Sequence, residues 1–168
     1  MESKVSAVVV MGVSGCGKTT VASRLAERLG WNFAEADTFH LAASIEKMRT
    51  GVPLNDDDRW PWLDAIAAWI DVARKNGERC VVACSALKRA YRERLKGGHD
   101  DVRFVYLQGA YATVAGRMVG RTGHYMPSSL LQSQYDALQE PTPDENAIVV
   151  SIEEPPAVLV ERIAATFS

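Results

Sequence analysis

The sequence predicts an α/β domain built on a parallel sheet of five strands with helices packed on both faces. Short β-rich apolar runs alternate with helical stretches along the whole chain, the pattern of a doubly wound α/β fold. Runs such as Val8-Val9-Val10 and Val81-Val82-Ala83 are continuous rather than alternating, as expected for strands buried on both faces. The first run is followed directly by Gly12-Val13-Ser14-Gly15-Cys16-Gly17-Lys18-Thr19 and then by a helical pattern. That is the strand–loop–helix setting of a phosphate-binding loop, G-x-x-x-x-G-K-[ST].

Taken in order, strands are predicted at 5–11, 31–37, 80–85, 102–107 and 147–152. Helices are predicted at 18–29, 42–50, 57–75, 87–95, 112–119, 128–139 and 156–167. Gly30 and Gly77 follow helical runs as C-terminal caps, and Gly51 with Pro53 closes another. Asp56, Asp57 and Asp58 open the long helix, where its dipole favours negative charge. The 168 residues fit one domain, 1–168, with a sizeable core and no linker or repeat.

Lys and Arg number 19 against 21 Asp and Glu, a net charge of −2, so no basic excess points to nucleic acid and any anion must be held by local cations. No export signal and no apolar stretch of transmembrane length are evident. The three cysteines therefore suggest a reducing, cytoplasmic setting. Cys80 and Cys84 read as small buried strand residues. Cys16 lies inside the loop beside a helix N-terminus, a position that lowers a thiol pKa.

The loop carries the first chemistry. Its glycines let successive N–H groups from Gly12 to Thr20 turn inward onto phosphate oxygens, and the following helix adds its positive end. Lys18 neutralises β/γ-phosphate charge and the Thr19 hydroxyl ligates Mg²⁺. No Asp stands at the end of the third strand, so Asp37 behind a water is the candidate to help hold the metal. The motif fits a kinase, a hydrolase or a switch equally well.

In such folds the ligand sits at the carboxyl ends of the strands, which singles out Asp37 and Ser85. Asp37 either accepts the proton of an attacking hydroxyl or caps the next helix. Ser85 precedes a predicted helix whose Lys88 and Arg92 are four apart. With Ser85 as the cap, they form an anion receptor or a solvated basic face. Leu87, Ala90, Tyr91 and Leu95 form that helix's core side. Arg59, beside the acids 56–58, is carried forward as a substrate-anion contact. Arg117 and Arg121, followed by Gly123-His124, read either as a cationic lid or as an ordinary basic helix end. The acceptor region is placed at about 38–62 and the lid at about 117–130, with Gly120 and Gly123 as hinges.

These residues resemble the gluconokinases of the small bacterial, thermoresistant type, relatives of shikimate and adenylate kinases. The resemblance is carried by Met11-Gly-Val-Ser-Gly-Cys-Gly-Lys-Thr19, Asp37-Thr-Phe-His40, Ile45-Glu-Lys-Met48, Gly51-Val-Pro-Leu-Asn-Asp-Asp-Asp-Arg59, Pro61-Trp-Leu63, Cys84-Ser-Ala-Leu-Lys88, Tyr91-Arg92, Gly123-His124 and Leu138-Gln-Glu-Pro141. It implies a P-loop NTPase fold of three α/β/α layers with strand order 2-3-1-4-5 and a lid.

The implied activity is transfer of the ATP γ-phosphoryl to the 6-hydroxyl of D-gluconate, feeding the pentose phosphate pathway, with Mg²⁺ as cofactor and a homodimer as the assembly. It implies catalytic roles for Lys18, Asp37 and Arg121. Acceptor contacts are implied from Asp37, His40, Lys47, Arg59, Ser85, Lys88, Arg92 and His124. Arg117 is implied at adenine, with 153–155 beside it. The chain departs from the family pattern at Leu41, where proline is usual, at Ser44, where asparagine is usual, and at Ala36, where glycine is common. A kinase for another small acid or polyol such as shikimate, and a regulatory nucleotide-binding module or simple ATPase, are the competing readings.

Overall fold

The computed structural model describes residues 5–52, 54–119 and 128–167. Five strands, β1 (Ala7–Met11), β2 (Asn32–Glu35), β3 (Cys80–Ala83), β4 (Val102–Gln108) and β5 (Ile148–Ser151), form one sheet. Their order is β2-β3-β1-β4-β5, and every neighbouring pair is parallel. The helices are α1 (Lys18–Leu29), α2 (Ala42–Arg49), α3 (Asp56–Lys75), α4 (Arg89–Lys96), α5 (Tyr111–Val119), α6 (Ser128–Ala137) and α7 (Pro156–Phe167).

All five residues of β1 are fully buried. Side chains alternate across a strand, so β1 feeds two separate cores. Val8 and Val10 join Val81, Val105, Leu107 and Val150 beneath α1 and α7. Ala7, Val9 and Met11 join Val82, Phe104 and Tyr106 beneath α3 and α4. The expected three layers follow from this division. Both ends of α1 match the sequence expectation. Gly17 opens it at φ 98° and Gly30 closes it at φ 73°, a conformation that costs glycine nothing.

The start of α3 is set by a reciprocal cap. The Asn55 side chain accepts from the Asp58 N–H at 2.8 Å, and the Asp58 carboxylate accepts from the Asn55 N–H at 3.0 Å.

Three local expectations are corrected. Strand β2 stops at Glu35, and Asp37 lies in a 3₁₀ turn, Ala36–Phe39. The Trp62 indole donates to the Ala36 carbonyl at 2.7 Å and the Thr38 hydroxyl donates to the Glu35 carbonyl at 2.8 Å, drawing the chain out of the ladder. Helix α4 begins at Arg89, not Leu87, with Lys88 rather than Ser85 in the cap position. Ala86 sits at φ 45°, which breaks helical continuity. Ala90 faces solvent instead of the core.

Arg92 explains why the 86–88 segment holds this shape. It is 2% exposed. Its guanidinium donates to the carbonyls of Ala86, Leu87 and Gln139 and to both Glu145 oxygens, at 2.7 and 3.1 Å. The Glu145 carboxyl is held below its ordinary value: burial works against ionisation, and Arg92 outweighs it. The expected shared helix face of Lys88 and Arg92 is therefore absent. Arg92 closes the joint between α4 and the 139–145 segment and is not offered to a ligand. Arg92→Ala strips the half-buried Glu145 carboxylate of its charged partner and removes the guanidinium donor to the Ala86 and Gln139 carbonyls, so it should cost about 3–5 kcal/mol of unfolding free energy. Urea denaturation checks this, and a loss below about 1 kcal/mol would show that the joint is held by something else.

Candidate active site

Because β1 is the central strand, the loop that follows it stands in the middle of the carboxyl edge of the sheet. The Gly12 N–H donates to the Ser85 carbonyl at 3.2 Å, tying the loop to the end of β3. A Cβ on Gly12 would lie 2.7 Å from Cys16 Sγ and 3.1 Å from the Leu107 carbonyl oxygen, at a backbone φ of 151°. The loop can curl this tightly only with glycine there. Lys18 Nζ donates to the Val13 carbonyl at 3.0 Å, which holds the ammonium across the mouth of the loop. Cys16 is buried, and that burial raises its thiol pKa against the attraction of Lys18. The expected lowering by the helix N-terminus is thus overturned, because desolvation of the thiolate is the larger effect.

Beside the loop, Gly15, Gly17, Thr20, Arg117, Glu154 and Pro156 line a cleft of about 270 Å³. Arg117 Nη2 donates to the Ile152 carbonyl at 2.5 Å. This brings Arg117 and the 153–155 segment together next to the loop, as the adenine side requires. Arg121, His124 and the hinge glycines Gly120 and Gly123 lie outside the described residues.

On the other side of the loop the Thr19 hydroxyl donates to Glu35 Oε2 at 2.6 Å. Glu35 was not among the residues singled out from sequence. It lies two positions before Asp37 at the end of β2, and that spacing is the signal that could have found it. Thr19 and Glu35 together supply hard oxygen donors of the kind Mg²⁺ takes. No cluster of three or more His, Cys, Asp or Glu groups able to hold a metal occurs among the described residues, so phosphate oxygens and waters must complete its shell.

Asp37 projects into solvent, its side chain 83% exposed. His40 Nε2 lies 4.0 Å from its carboxylate. The His40 ring stacks on Trp62 with centroids 4.5 Å apart, and its buried Nδ1 has no hydrogen-bond partner. Burial pushes the His40 pKa below the ordinary 6.5, against the attraction of Asp37. Of the residues that depart from the family pattern, Ala36 and Ser44 are buried and Leu41 is half exposed.

Two of the three acids at the start of α3, Asp56 and Asp58, also hold cations. Asp58 pairs with Lys47 at 2.9 Å. Asp56 pairs with Lys88 at 3.2 Å and accepts from the Tyr91 hydroxyl. Both carboxyls are held below their ordinary values, Asp56 chiefly by the Tyr91 hydrogen bond and Asp58 chiefly by Lys47. Arg59 donates to the Tyr91 hydroxyl at 3.0 Å, with Asp56 no closer than 4.0 Å. Arg59 and Lys88 also both lie 5.6 Å from the centre of the Tyr91 ring. Lys47 and Lys88 each have a close carboxylate. Arg59 is the least neutralised of the three and the best placed to take a further anion.

The structure thus brings Asp37, His40, Lys47, Arg59 and Lys88 to the acceptor side, with Ser85 half-buried at the end of β3. It withdraws Arg92. It adds Glu35 and also Gln134, whose side-chain carbonyl accepts from the Ser14 N–H at 2.6 Å. Gln134 stands 120 positions from Ser14, too far along the chain for any local pattern to reveal.

Several known proteins resemble this chain over most of its length. The family described as "AAA domain" matches residues 8–141. The gluconokinase of Gluconobacter oxydans is 49% identical over 160 residues, covering 95% of this chain and 90% of that protein. Two solved structures superpose over almost the whole length. A sugar kinase from Janibacter sp. HTCC2649 has 48% identity and a TM-score of 0.89, over 96% of this chain and 93% of that one. A gluconokinase from Sinorhizobium meliloti 1021 has 43% identity and a TM-score of 0.87, over 98% and 93%. With the phosphate-binding loop, the acid after β2 and the cations around α3 and α4 in place, the chain belongs to the gluconokinase family.

Proposed function

We propose that the chain transfers the γ-phosphoryl group of ATP to the 6-hydroxyl of D-gluconate, giving ADP and 6-phosphogluconate. The observation that carries this reading is the pairing of a phosphate-binding loop with a facing acceptor site. Its candidate residues are an exposed carboxylate, Asp37, and a cationic group, Arg59 with Lys47 and Lys88. Gluconate has the complementary shape, with a primary hydroxyl at one end and a carboxylate at the other. A pure nucleotide switch has no use for the acceptor side.

Phosphoryl transfer is mostly positioning and charge neutralisation. Lys18 leaves the Val13 carbonyl for the β/γ-phosphates. Asp37 takes the proton of the attacking hydroxyl and orients it in line. Arg59 anchors the acceptor's carboxylate, with Lys47 and Lys88 beside it, and Ser85 lies between acceptor and loop. His40, stacked on Trp62 with its Nε2 4.0 Å from the Asp37 carboxylate, stands beside the proton acceptor. Arg117 covers the adenine, while Arg121 and His124 are assigned to the lid by family resemblance. Thr19, with Glu35 behind it, would hold Mg²⁺, which would supply neutralisation of the developing phosphate charge. The single-domain division, with its acceptor region at about 38–62 and lid at about 117–130, belongs to this proposal. So do a homodimer, a cytoplasmic setting and a place in the pentose phosphate pathway. Among the described residues no helix is long and apolar enough to cross a membrane.

ADP release in a coupled assay should depend on D-gluconate and should not respond to shikimate. Asp37→Ala should lower turnover by about 100-fold or more with ATP binding unchanged. Near-wild-type turnover in that variant would remove Asp37 from the mechanism.

His40 supplies a pH signature. Its folded pKa lies below the unfolded 6.5, so the unfolded chain binds the proton first. The stabilising contribution is complete above about 6.5 and is lost as pH falls toward the folded value. An NMR titration of His40 should place its midpoint below 6.5, and a midpoint above it would contradict the buried, neutral ring.

A further inference from the structure

We propose that Gln134 is a positioning residue for phosphoryl transfer, clamping Ser14 so that its hydroxyl donates toward the transferring group. This deepens the functional reading above and rests on it. Two hydrogen bonds carry the inference. Gln134 Oε1 accepts from the Ser14 N–H at 2.6 Å, and Gln134 Nε2 donates to Ser14 Oγ at 2.8 Å.

A backbone N–H can only donate, so the oxygen end of the carboxamide must face it. The nitrogen end is then left for the hydroxyl, and the usual ambiguity of an amide side chain is removed. Nε2 occupies an acceptor lone pair of Ser14 Oγ. The hydroxyl's own hydrogen is left to donate elsewhere, within the phosphate-binding loop. The same clamp takes the Ser14 N–H out of the set of phosphate donors, as the Ser85 carbonyl takes that of Gly12 and the Val13 carbonyl that of Cys16.

The clamp is anchored from behind. Leu131, one turn earlier on α6, is buried in the core. The adjacent Tyr135 donates its hydroxyl to the Gly109 carbonyl at 2.8 Å and packs edge-on against Tyr111. Gln134 is itself only half-buried, so its loss should leave the fold intact. Its position on α6 also makes the loop's geometry depend on the helix that follows the lid region in sequence.

The test combines kinetics with a readout that needs no turnover. In the free wild-type chain the Ser14 amide should exchange its hydrogen slowly, and Gln134→Ala should make it exchange at least about tenfold faster. In the same variant kcat should fall about tenfold, with the KM for D-gluconate and the urea midpoint unchanged. Gln134→Glu keeps the acceptor but loses the donor and adds charge beside the phosphates. It should therefore lower kcat further and raise the KM for ATP. Ser14→Ala combined with Gln134→Ala should be no slower than Gln134→Ala alone, since both remove one interaction.

Additive losses in that pair, wild-type kcat in Gln134→Ala, or equal Ser14 exchange in the two proteins would each overturn the inference. The functional reading is judged separately, by the dependence of the wild-type rate on D-gluconate.

Discussion

The junction between β1 and α1 is the constraint on which the remaining geometry rests. β1 is buried on both faces and paired on both edges, so it has no freedom to shift. The chain must turn from that strand into α1 within a few residues while pressed against Cys16 and the Leu107 carbonyl. Only a glycine-rich turn fits, and it delivers the chain to the start of α1, whose first N–H groups have no intrahelical carbonyl to meet them. The same packing that stabilises the sheet therefore makes the anion site.

The acceptor side solves a different problem. It must gather several cations without a ligand to neutralise them. Lys47 and Lys88 are parked on Asp58 and Asp56, and Arg59 on a phenol whose own hydroxyl turns to Asp56. These partly exposed pairs contribute little to stability; in the proposed function they hold the side chains in place for an incoming carboxylate. Arg92 took the opposite course. It is buried, fully partnered and structural, although its sequence spacing from Lys88 had suggested a shared task.

Much of this was legible in the sequence, and the boundary is physical. α1 was readable to its last residue because both caps are glycines in the chain itself. The strands were readable because continuous apolar runs have one stable use in a parallel sheet. The loop followed from a motif with a fixed mechanism, and the strand order and the kinase family from the resemblance those motifs carry. The 3₁₀ turn at Asp37 was not legible because a tryptophan 26 positions away causes it. The late start of α4 was not legible because Arg92, Gln139 and Glu145 cause it together. The Cys16 pKa was misjudged because burial, which outweighs the helix terminus, depends on packing. Glu35 was within reach by its spacing from Asp37, while Gln134 required the fold.

In the proposed function, a carboxylate-bearing polyol lies with its far hydroxyl at Asp37 and its carboxylate at Arg59. The position of the new phosphate tests this most directly. Phosphorus and carbon NMR of the product from MgATP and D-gluconate should show a single phosphomonoester on the primary 6-hydroxyl. Phosphate on a secondary hydroxyl would reverse or shift the acceptor's orientation, and release of inorganic phosphate alone would contradict transfer altogether.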